Sequence, residues 1–529
     1  MTMRKLISLL TALIIFSGAY SQAVYNITPY PNSLIAQSGN FNFKNSITVS
    51  YDKEFSSEIG IFKDLFYNQF CINLINSTSG DIKITKSKTL QEGSYNLTVE
   101  KGGIKIESGS KSGSFYALQT LRQLITLQSD GSYNIPACTI ADSPAFVWRA
   151  FMLDESRHFK GKEIVKKMLD QMALLKMNVF HWHLTDDQGW RIEIKKYPLL
   201  TQVGAWREKT QLKYAPKDSA RVYYDYPHGG FYTQKDIAEV VEYALKRHIM
   251  IVPEIEMPGH ATAAVASYPW LSASGDIIKV TGDFGIFKST YNVADEKVFT
   301  FLTDVITEVM ALFPSKVIHI GGDEVKYDEW NASKEVKELM AREGLKNPSD
   351  VQVFFVNRMS KFFDTKGYRM MGWNEIMGKN IHEWSAEENS QQTLSKNSIV
   401  HFWKGEPALL KQALEEGYDV VNSNHWDTYL DYTYTRIPLE KAYNFSPIPQ
   451  GLDPKYSKNV LGSGCQMWSE YIPKVSDLYR QVFPRVAAYA EVGWTKSENK
   501  DFSRFLNSLN VLKRYWDTQG ITYYPDYAK

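Results

Sequence analysis

Cysteine is scarce. The chain has three in 529 residues, Cys71, Cys138 and Cys465, and no CxxC pair. That excludes a scaffold built on disulfides and a zinc site built on cysteine. The three are read as buried free thiols, with a Cys71–Cys138 bridge as the alternative. Charge of one sign is also missing: 60 Lys and Arg stand against 59 Asp and Glu, for a net charge of +1. With no basic block, neither nucleic acid nor an anionic membrane surface is an expected partner. Long hydrophobic runs are absent, since no segment reaches the ~20 apolar residues a membrane-spanning helix needs. Short-period repeats and low-complexity tracts are absent too. Aromatics, by contrast, are plentiful: 14% of the chain, with 13 Trp and 32 Tyr. Such a content fits either a large aromatic core or a carbohydrate site, because the CH-rich faces of sugars stack on aromatic rings.

The first residues carry Arg4 and Lys5, then an apolar run over 6–16, then small residues at Ala19 and Ser21. This is the pattern of a secretory signal over 1–21. Cleavage is expected near Ser21/Gln22, with export to the periplasm or beyond the cell and no transmembrane span in the mature chain.

The remaining length is more than one ordinary core. Over 22–143, short β-like runs (47–51, 82–84, 95–100, 103–107) alternate with Gly, Ser and Asn, and two helical stretches (57–70 and 111–127) interrupt them. A small α+β domain fits that rhythm. From 144 to 529 the rhythm changes. Eight apolar runs occur, at 150–154, 178–184, 250–256, 317–321, 369–373, 399–403, 419–422 and 461–468. Helical patterns separate most of them, including 162–175, 233–246, 296–312 and 351–366. Eight strands alternating with helices predict a (β/α)₈ barrel, a TIM-barrel α/β fold. The aromatic stretch 425–458 reads as a functional βα loop.

A barrel places its chemistry just after the strand ends. Polar or aromatic groups stand there almost every time: Asp154 to His158, Thr185 to Trp190, Glu256 to His260, Gly321 to Glu324, then Trp373, Trp403, Tyr429 with Asp431, and Trp468 with Glu470. The pair Asp323–Glu324 is the sharpest feature. Glycosidic cleavage ordinarily needs two carboxyl groups on opposite sides of the sugar. Neighbours in sequence do not reach opposite faces of one ring. A 2-acetamido sugar removes the difficulty, because its own carbonyl oxygen attacks C1. Glu324 is then the general acid, and Asp323 orients the acetamido nitrogen.

His260 fits a relay with Asp186 that tunes the acid, or a loop-packing role beside Pro258 and Gly259. Arg157 fits either an ion pair or a grip on sugar hydroxyls. Trp373, Trp403 and Trp468 fit a pocket wall or core. The hydroxyl of Tyr429 fits the acetamido carbonyl. A different chemistry competes. His181 and His183, two apart on a strand, face one way as metal ligands would, and His260, His319 and His401 are further imidazoles for a metal hydrolase. A glycan-binding protein without catalysis is the third reading.

Four ordered motifs, Leu153–Phe159, His183–Trp190, Pro253–His260 and His319–Glu324, resemble the signatures of glycoside hydrolase family 20, the β-N-acetylhexosaminidases. The resemblance runs through nearly the whole mature chain. It implies a barrel preceded by an α+β domain and a retaining, substrate-assisted reaction that uses no metal or cofactor. The substrate implied is a glycan ending in β-linked N-acetylglucosamine or N-acetylgalactosamine. Residue by residue, it implies Glu324 as acid/base, Asp323 as the group polarising the acetamide and Tyr429 as support for its oxygen. It implies Arg157, Asp431 and Glu470 on ring hydroxyls, the three tryptophans as pocket, and Asp186 with His260 behind the acid. Glu256 departs from the pattern, standing where many relatives carry Asp.

Overall fold

Strands covered on both sides should be buried nearly throughout, and the barrel strands are, with single half-buried positions at Met250, Arg369, Asp419 and Leu461. In the computed structural model, which describes residues 25–216, 219–379 and 389–527, Trp148–Asp154 is buried at all seven positions and Val179–His183 at all five. The other six are Met250–Glu254, Val317–His319, Arg369–Trp373, Ile399–Phe402, Asp419–Asn422 and Val460–Met467. The eight form a closed barrel in sequence order, the last pairing in parallel with the first from Gly462↔Trp148 to Met467↔Leu153. The expected barrel is therefore present, with each strand within a few residues of its sequence run. Several end early: the third stops at Glu254 and the fourth at His319. There the chain leaves the barrel wall through left-handed turns, with φ of 67° at Gly321, 87° at Gly322 and 51° at Glu324.

Outer helices such as Glu296–Leu312 bury one stripe, whereas Arg485–Trp494 is buried at all ten positions. Glu296–Leu312 buries Val298, Phe301, Leu302, Val305 and Val309, and Asp295 caps it by accepting from the Lys297 amide. Inside the barrel, residues two apart climb in layers. The lowest layer is apolar: Ala150, Val179, Val252, Val317, Met371, Ile399 and Val421 pack together. The next layer is polar and aromatic. His181, His319, Trp373 and His401 lie ring against ring, with centroids 4.2 to 5.9 Å apart. The site sits on top.

The N-terminal domain is an eight-stranded mixed sheet ordered Ser33–Asn42, Tyr133–Asp142, Tyr95–Glu100, Gly103–Ser108, Ile82–Lys86, Ser46–Tyr51, Asn73–Asn76, with Thr126–Leu127 added on Tyr133–Asp142. Its helices are Ser56–Phe70 and Lys111–Leu124. The expected helix to 127 is thus too long, because Thr126 and Leu127 pair instead with Asn134 and Tyr133. A buried network joins the domains. Lys176, after the first barrel helix, reaches Asp142 at 3.1 Å, and the Trp494 indole N–H donates to both oxygens of Asp142 at 3.0 Å. Cys138 and Cys465 are buried free thiols as expected, but Cys71 is exposed, because it ends the helix Ser56–Phe70 at the surface. No described helix is long and apolar enough to cross a membrane. The expected signal segment lies outside the described residues.

Candidate active site

Eight strand ends point into one bowl, and ten of the eleven residues singled out from sequence line a cavity of about 220 Å³ there: Arg157, Asp186, His260, Asp323, Glu324, Trp403, Tyr429, Asp431, Trp468 and Glu470. The eleventh, Trp373, is buried behind the wall, edge-on to Trp403 at 6.4 Å, and its indole N–H donates to Glu254 at 2.9 Å. Trp403 and Tyr429 lie nearly parallel at 6.1 Å, and Trp468 stands 6.0 Å from Tyr429. The three rings enclose a slot whose faces are apolar and whose rim is polar. Tyr429 is placed there by a bridge to Gln466 of the eighth strand.

Asp323 and Glu324 stand together on one side of this cavity. Nε2 of His260 lies 3.7 Å from Asp323 Oδ2 and 3.7 Å from Glu324 Oε2, so the imidazole faces both carboxyl groups equally. The sequence reading gave His260 to the acid alone. Behind it, Nδ1 of His260 hydrogen-bonds Asp187 at 2.9 Å and lies 3.2 Å from Asp186. Two carboxylates thus stand behind His260, and Asp187, which received no role from sequence, is one of them. Burial would lower the His260 pKa, but Asp186, Asp187 and Asp323 outweigh it and raise it well above the ordinary value. Burial, reinforced by Glu375 and Glu324 and opposed by His260, pushes Asp323 well above the usual carboxylate range. Its Oδ1 accepts no hydrogen bond within the protein. An N–H donor that acquires positive charge is what such a carboxyl group stabilises best.

Arg157, Asp431 and Glu470 line the same cavity. Arg157 is gripped by Asp186 at 2.6 Å, Asp154 at 3.3 Å, the Gln188 amide oxygen at 2.9 Å and Glu470 at 3.9 Å, with Trp468 under the guanidinium at 5.0 Å. The ion-pair reading of this arginine holds, and the same side chain also lines the cavity. Burial raises Asp431 well above its ordinary value and raises Glu470 as well, Arg157 partly opposing the latter.

His181 and His183 do face one way, into the barrel core below the cavity, and both approach Glu254. His183 Nδ1 lies 2.5 Å and His181 Nε2 2.9 Å from Glu254 Oε2, while His319 Nδ1 lies 2.9 Å from Oε1. These imidazoles surround a buried carboxylate and do not reach the cavity wall. Glu254, Asp154, Asp187 and Gln188 are thus members of the site missed from sequence. Asp154, Asp187 and Gln188 sat within the strand-end clusters. Glu254 lay inside a strand run, and its role depends on strands far apart in sequence. Glu256, the departure from the family pattern, is buried with Oε2 unpartnered. Burial and the neighbouring Asp323 and Glu254 raise its pKa well above the usual range. Its carboxyl lies flat on Gly321, where a Cβ would sit 1.6 Å from Oε2.

Adjacent carboxyl groups, aromatic walls and further charged side chains lining one cavity at the mouth of a (β/α)₈ barrel are the furnishings of a glycoside hydrolase site. The chain belongs to glycosyl hydrolase family 20: the family's catalytic domain matches residues 146–497 and its domain 2 matches residues 24–143. A β-hexosaminidase of Porphyromonas gingivalis is 34% identical over 94% of this chain and 64% of its own length. One from Vibrio furnissii is 36% identical over 78% of this chain and 67% of its own. The chain thus spans about two thirds of these relatives. Among solved structures, an exo-β-N-acetylglucosaminidase from Vibrio harveyi in complex with N-acetylglucosamine superposes with a TM-score of 0.83 at 33% identity, covering 96% of this chain and 79% of that one. A β-N-acetylhexosaminidase from Bacteroides fragilis gives 0.79 at 29% identity, covering 94% and 97%.

Proposed function

We propose that the chain is an exo-β-N-acetylhexosaminidase that releases terminal β-linked N-acetylglucosamine or N-acetylgalactosamine with retention of configuration. One observation carries the reading: Asp323 and Glu324 meet the same imidazole nitrogen at the same 3.7 Å, so they share one side of the cavity. Two carboxyl groups so placed are not set to flank C1 of one ring from opposite faces, as an enzyme nucleophile and acid would be. The cavity, at about 220 Å³, is below the range of ~300 to 1,000 Å³ for drug-sized ligands and suits a single terminal ring. The named relatives and the N-acetylglucosamine complex support the same substrate class.

The proposed steps use the residues that line the cavity. The sugar lies between Trp403, Tyr429 and Trp468, with its hydroxyls on Arg157, Asp431 and Glu470. The acetamido oxygen attacks C1 as the bond from C1 to the leaving oxygen breaks, and Glu324 gives its proton to that oxygen. The oxazolinium ring so formed carries positive charge at nitrogen, where Asp323 accepts its N–H. Water then attacks C1 and gives its proton to Glu324, and the ring reopens to the acetamide. Glu324→Gln should abolish hydrolysis of an aryl N-acetyl-β-glucosaminide, and a thiazoline analogue of the cyclised intermediate should inhibit the wild type. Full activity of Glu324→Gln would refute the assignment. The basic start and the apolar run over 6–16 support export. N-terminal sequencing of the mature protein tests this, with a start near Gln22 expected.

A further inference from the structure

The buried layer beneath the cavity is wired to it. His183, fully buried, spans two carboxylates: its Nδ1 lies 2.5 Å from Glu254 Oε2 and its Nε2 3.0 Å from Asp186 Oδ2. Asp186 is the crossing point of the site. Its Oδ2 also meets Arg157 Nη2 at 2.6 Å, and its Oδ1 accepts the Asp187 amide at 2.6 Å and stands 3.2 Å from His260 Nδ1. The Asp186 carboxylate therefore has its rotation fixed by His183 below, Arg157 on the hydroxyl side and His260 on the acid side. Glu254 anchors the other end and also holds the Trp373 indole. A neutral imidazole has one N–H and would leave one carboxylate facing a lone pair. Only the imidazolium donates to both.

We infer that His183 is a positioning residue for the general acid: its imidazolium, braced by Glu254, fixes Asp186 and through it His260, which faces Glu324. The inference rests on the proposed glycosidase reading and extends its relay one layer deeper. The charge state accords with the surroundings. Burial lowers the imidazole pKa, but Glu254 and Asp186 outweigh it and hold it up at about 10. Loss of this brace lets Asp186 rotate towards Arg157, and His260 loses one of its two carboxylates. The acid then donates its proton from a less well-held position. Because His260 faces Asp323 as well, the effect must be separated from one on the acetamido group, and the leaving group does this. A dinitrophenolate departs without a proton, whereas an alkoxide does not.

The test compares the wild type and His183→Gln on two substrates, a 2,4-dinitrophenyl N-acetyl-β-glucosaminide and N,N′-diacetylchitobiose. The expected result, read as kcat/KM because that quantity reports glycosidic cleavage and not the later water step in which Glu324 acts as base, is a fall of roughly tenfold to a hundredfold on chitobiose, a fraction of the 10² to 10⁴ a placed acid supplies. On the dinitrophenyl substrate the expected fall is less than about threefold, since its departure needs little of that acid. Equal losses on the two would locate the effect in pocket shape or the acetamido group and overturn the inference. Should His183→Gln not fold, Glu254→Gln gives the same comparison, with the same inequality expected. Wild-type protein inactive on both substrates would refute the proposed function itself, an outcome distinct from equal losses in an active enzyme.

Discussion

At the scale of single residues, the site depends on a few atoms that have no room to move. Gly321 is required twice over: its φ is 67°, and a Cβ would overlap the Glu256 carboxyl. Gly321→Ala should cost about 1–2 kcal/mol from the backbone alone. It should also displace Glu256 towards Asp323, with loss of most activity; thermal unfolding and the aryl substrate assay measure the two effects. Asp323→Asn keeps shape and removes charge, so kcat should fall by about 10² to 10³ with a smaller change in KM. A large change in KM alone would mean Asp323 acts in ground-state binding. His183 has a pH signature. Its folded pKa of about 10 lies above its ordinary 6.5, so its stabilising contribution is complete below pH 6.5 and is lost as pH rises through 10. The stability difference between wild type and His183→Gln should accordingly be flat at acid pH and shrink between about pH 6.5 and 10. A difference that grows over that interval would contradict the bridging imidazolium.

At the scale of elements, the barrel strands were legible because each is a short apolar run set between helical patterns, and burial on both faces leaves little choice of residue. Where the reading slipped, local sequence carried no signal. Ser33–Asn42 is an edge strand exposed at eight of ten positions, so it shows no alternation. The helix from Lys111 is buried at 12 of 14 positions, and its last apolar residues merge into Ile125 and Leu127, which hid its end at Leu124. The sequence run of the third strand extends two residues past Glu254 because Ile255 keeps it apolar, although the strand itself has ended. Elements from both domains meet at Lys176 and Asp142, both side chains fully buried. Asp142→Ala strands the lysine and the Trp494 N–H, and should destabilise the protein by about 3–5 kcal/mol while leaving kcat of the folded fraction unchanged. Denaturant melts paired with active-site titration check this; a loss below about 1 kcal/mol would mean water reaches Lys176.

At the scale of the whole molecule, the barrel is a stack: an apolar plug, a layer of imidazoles and Trp373 around Glu254, then the catalytic bowl. The bowl was legible, since Asp323, Glu324 and the strand-end tryptophans occupy fixed places relative to their strands. The layer beneath was not. Glu254, His183, His319 and Trp373 come from four neighbouring strands far apart in sequence, and their meeting follows from the strand order and curvature of the barrel. Spacing shows that His181 and His183 share a face, but not that Glu254 and His319 stand beside them. The central claim is that the substrate's acetamido group, and no carboxylate of the protein, attacks C1. Its most direct test is the rate of hydrolysis of aryl β-glucosaminides bearing N-acetyl, N-fluoroacetyl, N-difluoroacetyl and N-trifluoroacetyl groups. Fluorine withdraws electrons from the carbonyl oxygen, so kcat should fall steeply and monotonically along the series. A kcat that stays level across it would contradict the account.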